Sequence, residues 1–162
     1  MEPSLASALK SLLESQQLAA LATLHKGEPS VSMVPYALLP QGRGFVVHVS
    51  SLATHTADML ANPAVGLLVV APPGSAATPQ ETVRASVQGR ASQCARDSAE
   101  YLEARAIYLA RYPHSEEMFS FTDFSLFVIA PRSVRFVGGF GRATSILAEA
   151  FSAVMGASVL KQ

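Results

Sequence analysis

The chain of 162 residues has a single cysteine, Cys94. An internal disulfide is thereby excluded, and no Cys/His cluster has the spacing of zinc ligands. With no histidine nearby in sequence, Cys94 is also a poor candidate for a nucleophile. Charge is scarce: Asp, Glu, Lys and Arg make up 15% of the residues, 12 basic against 12 acidic, for a net charge of zero. That balance argues against binding nucleic acid through its phosphates. No basic run is present to meet an anionic membrane. The opening MEPSLASALKSLLESQQ has neither a positive start nor a continuous apolar core, so no signal peptide is expected. The apolar run VGLLVVAPP is too short to span a bilayer. Neither G-x-S-x-G nor a Walker sequence occurs. The expectation is a cytoplasmic protein with no nucleic-acid or membrane partner and no metal centre.

What the chain has in quantity is apolar residues, 49% of the total. The length favours one domain spanning residues 1–162 with a substantial core. So thinly charged a chain is also expected to cover part of its surface with another subunit.

Periodicity places a helix over 4–15, with Leu5, Leu9, Leu12 and Leu13 on one face. Strands follow over 17–25, 29–39 and 44–50, joined by the turns KGEP and PQGRG. In the third strand Phe45, Val47 and Val49 face one way, His48 and Ser50 the other. A short helix over 52–61, a buried strand over 64–71 and a loop over 72–80 come next. The strand over 81–94 alternates strictly, with Arg84, Ser86 and Gln88 on its polar side. Asp97 and Glu100 suggest a capping box for a helix to Arg111. SLFVIAP and SVRFVGGF read as two strands, and ATSILAEAFSAVM as a closing amphipathic helix. Successive strands with no helices between them cannot be parallel neighbours. The fold class is therefore mainly β (α+β): an antiparallel barrel with helical additions.

Three segments could carry chemistry. In VHVSSLATHTADMLANP a strand gives way to a helix at Ser50 and Ser51, with Thr54, His55 and Thr56 in the first turns. A serine there can cap the helix, and the free N–H groups suit an anion. A capped helix with a surface histidine accounts for the same residues. The polar side of the strand over 81–94 either faces solvent or lines a cleft in which Arg84 is a planar donor. GGFGRA, residues 138–143, is either a turn or a place where backbone closely approaches a flat ligand.

The order ATLHKGEPSVSMVPYAL, GFVVHVSSLATHTADMLANPAVGLLVV, VRASVQGRA and FVGGFGRA resembles the pyridoxamine 5′-phosphate oxidase-like, FMN-binding split-barrel superfamily. SSLATHTADMLANP and GGFGRA are most similar to its haem-utilisation, HugZ-type branch. The resemblance implies a split β-barrel with peripheral helices, forming a homodimer with a cofactor groove at the subunit interface. It implies FMN as cofactor, with haem as the alternative, and a flavin-dependent oxidoreductase acting on an unidentified small substrate. The alternatives are a HugZ-type haem-binding or haem-degrading protein, or a non-catalytic flavin module. Carried onto this chain, the phosphate falls at Ser50, Ser51, His55 and Thr56, and the isoalloxazine against Ser32, Met33, Val34 and Pro35. Arg84 and Gln88 supply polar contacts, while Gly139, Phe140, Gly141 and Arg142 close the groove. The oxidase itself carries an Arg-Lys pair where this chain has Thr54 and His55. In the haem-degrading members a further C-terminal region supplies the axial histidine, and in this chain His48, His55 or His114 would substitute for it only in a different geometry.

Overall fold

The computed structural model describes residues 1–157. Helix α1 (Pro3–Ser15) leads into β1 (Leu18–His25), which turns back into β2 (Glu28–Pro35). The turn is Lys26-Gly27, with φ of +53° and +85°, the primed geometry that matches strand twist. The expected strand over 29–39 is in fact two, because pairing breaks at Tyr36 and resumes in β3 (Ala37–Leu38). Next come β4 (Phe45–Ser50), α2 (Thr54–Ala61), β5 (Ala64–Val70) and β6 (Arg84–Gln93). Helix α3 (Ala99–Arg111) starts at Ser98, whose hydroxyl accepts the Tyr101 N–H at 3.1 Å. Asp97 does not form the expected cap; it sits one residue too early, at φ +64°.

The two strands expected near the C-terminus are a single one, β7 (Phe124–Val137). Proline inside a strand removes a ladder donor, and β7 accommodates Pro131 at a bulge. Gln88 pairs with Ser133 and Gly89 with Pro131, which leaves Arg132 as the extra residue. The closing helix is shorter than expected. Ala143–Leu147 pair with β7 as β8, and only Ala148–Gly156 form α4.

All pairings are antiparallel, in the order β2-β1-β5-β6-β7-β4-β3, with β8 also on β7. The sheet curls until β2 and β4 approach each other across the split. The chain is thus a split antiparallel β-barrel with peripheral helices. Leu21, Phe45, Val47, Val87 and Phe136 fill its interior with Leu9 and Leu13 of α1 and Phe151 of α4. On the other side of β4 and β7, Val46, Leu126 and Val128 pack under Ala104 and Tyr108 of α3. Among the described residues, no helix gives the outer face of β2, β1 and β5 such a cover. Leu18, Val31, Met33, Leu68 and Val70 are exposed there, Val31 at 71% and Met33 at 59%. No helix among the described residues is long and apolar enough to cross a membrane.

Candidate cofactor site

The junction of β4 and α2 is built around Ser50. Its hydroxyl donates to Asp123 Oδ2 at 2.7 Å and accepts the Leu52 N–H at 3.1 Å. Its carbonyl accepts from the Ala53 N–H at 3.1 Å and the Thr56 hydroxyl at 2.6 Å. Ser51 donates its N–H to the Asp123 carbonyl at 2.7 Å. The expected serine cap on α2 is therefore not formed. Ala53 occupies the cap position and gives the helix no side-chain cap. Ser50 is used to hold the turn, and Thr56 is buried with its hydroxyl committed to Ser50.

In the first turn of the helix, His55 Nδ1 lies 3.1 Å from the Ser32 hydroxyl on β2. Burial lowers the His55 pKa, more than neighbouring Asp58 raises it, so the ring is neutral at neutral pH. Asp58 stands three residues further along the same helical face. It is 4% exposed and accepts from the Thr23 hydroxyl at 2.8 Å on one oxygen. His25 Nδ1 lies 2.8 Å from the other. Burial works to raise the Asp58 pKa, yet the bonds from His25 and Thr23 and the charges of His25 and His55 hold it below the usual range. An ionised carboxylate only accepts, so His25 carries its proton on Nδ1 and keeps Nε2 free. His25, Thr23 and Asp58 were not singled out in the sequence. Thirty-three residues separate the histidine from its carboxylate, and no local spacing encodes that pairing.

The corner therefore offers neutral donors and two carboxylates, Asp58 and Asp123. Arg96 reaches the same loop but donates to the Thr122 and Phe124 carbonyls, at 3.4 and 3.1 Å. The other two histidines lie elsewhere. His48 is 8% exposed, stacked on Phe119 with ring centres 3.9 Å apart and flanked by Tyr108 and Phe124. Burial, helped by Arg96, pushes its pKa down to about 4. Its Nδ1 has no hydrogen-bond partner among the described residues. His114 is exposed in a 3₁₀ segment.

The remaining candidate residues divide between the outer sheet face and the β7–β8 hairpin. Met33 and Pro35 point outward, while Val34 is in the core and Ser32 turns toward α2. On β6, Ser86 and Gln88 are on the exposed side and Ala85 and Val87 on the buried side, as the alternation implied. Arg84 folds back onto the Thr82 and Gln80 carbonyls, at 2.9 and 3.2 Å. Gly138 to Arg142 form the hairpin turn, with Gly139 at φ +127° and Gly141 at φ +68°. Phe140 projects from it, 81% exposed. Arg142 bonds Ser4 at 2.8 Å and pairs with Glu2 at 3.5 Å, fastening the hairpin to α1. Arg84 pairs with Val137, so it stands beside this hairpin and away from the α2 corner. The structure thus brings Ser32, Ser50, His55 and Thr56 together, and sets Arg84 and the hairpin apart from them.

Two grooves cross the open face. One, of about 470 Å³, runs past Leu18, Ala20, Met33, Leu68 and Val70. The other, of about 460 Å³, has Ala22, Leu24 and Gly66 beneath it and Gln88, Arg90 and Arg132 along its side.

The chain is a split barrel with a polar corner at the β4–α2 junction and an apolar outer face exposed among the described residues. The pyridoxamine 5′-phosphate oxidase family model matches residues 5–138, and the chain belongs to that family. It is 37% identical over 116 residues to the chloroplastic non-canonical heme oxygenase HOZ of Arabidopsis thaliana, across 71% of this chain and 33% of that protein. A heme binding protein from Mycobacterium smegmatis superposes with a TM-score of 0.83 and 31% identity, over 94% of this chain and 62% of that one. HutZ, the heme storage protein of Vibrio cholerae, does so with a TM-score of 0.72 and 25% identity, over 78% and 89%. The chain therefore spans a third of HOZ and under two thirds of the mycobacterial protein.

Proposed function

We propose that this chain is a haem-binding member of its family, acting as a homodimer. The observation that carries the reading is the composition of the α2 corner. An FMN phosphate placed there would meet a neutral His55 already bonded to Ser32, and a Ser50 already bonded to Asp123. A phosphate dianion there stands beside two carboxylates, and the one arginine the described residues bring to the loop, Arg96, is committed to the Thr122 and Phe124 carbonyls, which weakens the case for a phosphate. These groups speak for haem over FMN at this corner. Haem needs no phosphate cradle. It needs apolar area, cations for its carboxylates and a donor for its iron. The open face supplies the first. His25, at the end of β1, is anchored on Asp58 through Nδ1, the arrangement that raises the basicity of a metal-bound histidine, although it stands on the α2 side of the strand and not in the groove of the open face. The names of the relatives above support the same reading.

The exposed strip of Leu18, Val31, Met33, Leu68 and Val70 supports the dimer. Met33 and Leu68 both flank Ala20 in the strand register, so the strip is contiguous across β2, β1 and β5. An apolar face of that kind on a sheet is covered by a partner more often than left to water.

A flavin-dependent oxidoreductase is the second reading. It is supported by the family and by the N-terminus of α2, where Ala53 at the cap position provides no side-chain bond. One experiment separates the two: titration of the purified protein with hemin and with FMN, followed by absorption and flavin fluorescence. Haem binding predicts a saturable Soret shift at micromolar hemin and no flavin quenching. A yellow protein that retains FMN through dialysis and ignores hemin would overturn it.

A further inference from the structure

We propose that Arg90 and Arg132 anchor the oxyanion groups of a flat apolar ligand lying in the groove over β1, β5 and β6. This rests on the haem reading and assigns the residues that would take its two carboxylates.

The two arginines reach the groove by different routes. Arg90 is on the outward side of β6, in the alternation of Arg84, Ser86 and Gln88. Arg132 comes from β7, where it is the unpaired residue of the bulge. A bulge re-aims the side chain it adds, here onto the groove. The bulge depends on Gly89: a Cβ at that position would stand 2.8 Å from the Ala130 carbonyl oxygen. Gly89 itself lines the groove between the two arginines.

Both arginines lack an ion-pair partner among the described residues, although Arg43, Arg105 and Arg142 each have one. Among the described residues, no acidic one lines the groove. A lone exposed arginine is ordinary. Two on one groove, above Ala22, Leu24 and Gly66, give the combination an amphiphilic anion requires. The apolar body rests on the sheet, and the planar guanidinium groups take its oxyanions in bidentate contacts. Gly66 and Ala22 are register partners, so the floor between the strands is low enough for a flat molecule to lie close.

The test compares metal-free protoporphyrin IX with its dimethyl ester, which keeps the ring and loses both charges. Binding is read by porphyrin absorption and fluorescence. Wild-type protein is expected to favour the diacid. The double variant Arg90→Gln/Arg132→Gln is expected to lose roughly tenfold or more in affinity for the diacid and nothing for the ester. Arg135→Gln removes the same charge from the same sheet face outside the groove, and should leave both affinities unchanged. Thermal melts of each variant check the fold. An equal diacid affinity in the double variant, or an equal loss in Arg135→Gln, overturns the anchor while leaving haem binding intact. Wild-type protein that takes no porphyrin overturns both. FMN bound by wild-type protein and released by the double variant would keep the anchor and reassign it from carboxylates to a phosphate.

Discussion

His55 Nδ1 and the Ser32 hydroxyl lie 3.1 Å apart, joining the first turn of α2 to the outermost strand of the sheet. This bond occupies two of the side chains that family resemblance assigns to the cofactor. His55 itself brings no positive charge to the corner, because its ring is neutral at neutral pH. His55→Lys should therefore add a cation at the start of α2. FMN affinity is expected to rise by about 1.5–3 kcal/mol, the worth of a charge-assisted hydrogen bond. Quenching of flavin fluorescence measures it. A variant as indifferent to FMN as the parent would show that charge at this position is not what limits flavin binding.

How much of this was legible beforehand follows from the range of each interaction. The barrel, the inward and outward residues of β4 and β6, and the KGEP turn all rest on local alternation and turn chemistry, and they appear as expected. Pro131 made β7 look like two strands, because a proline reads as an end and only pairing with β6 shows it to be a bulge. Ile146 and Leu147 fitted a helical stripe, yet β7 claims them for pairing. At the site, Ser50 and His55 stood out from local pattern, whereas the partners that decide their roles, Asp123 and Ser32, lie 73 and 23 residues away. His25 likewise has its partner, Asp58, 33 residues away.

His48 should make stability depend on pH. Its ring is held at a pKa of about 4 in the folded chain, against an ordinary 6.5. Above pH 6.5 the ring is neutral in both states and the contribution is complete. Between pH 6.5 and 4 the unfolded chain binds a proton that the folded chain refuses, so stability falls as pH falls. The loss reaches about 3 kcal/mol by pH 4. Asp58, held below the usual carboxylate range, loses its contribution only at lower pH, through its own folded value. Urea unfolding of the parent and of His48→Phe at pH 7 and pH 4.5 is the measurement. The variant should flatten the dependence, and parallel curves would remove His48 as its source.

The open face makes a prediction about assembly. Leu68 is 38% exposed and sits between Ala20 of β1 and Ser86 of β6. Met33 occupies the other side of Ala20. A charge at either position costs nothing in an isolated subunit whose side chains face water, and a great deal in a dry interface. Met33→Glu and Leu68→Glu are each expected to convert a dimer into a monomer in light scattering at micromolar concentration, with the melting temperature of the monomer retained. A parent that is already monomeric at that concentration would reject the dimer proposed here.

Gly89 links the fold to the groove. Its missing side chain lets β6 approach β7 where Pro131 and Arg132 form the bulge. The obstacle to a Cβ is the Ala130 carbonyl oxygen at 2.8 Å, with Ile129 Cγ2 at 2.9 Å. Backbone in a paired strand cannot swing aside as a flexible side chain would. Gly89→Ala should thus destabilise the protein by roughly 1–3 kcal/mol, the range for forcing a methyl into packed structure. Because the strain falls on the bulge, it should also displace Arg132 and weaken porphyrin binding. Gly74, in the loop after β5, has nothing within 4 Å of its Cβ position but has φ +79°. Gly74→Ala therefore serves as a control that strains a turn without touching the groove. Chemical denaturation together with porphyrin titration separates the cases. Gly89→Ala should lower both stability and affinity, and Gly74→Ala stability alone. A Gly89→Ala protein with unaltered affinity would mean that the bulge is not what aims Arg132.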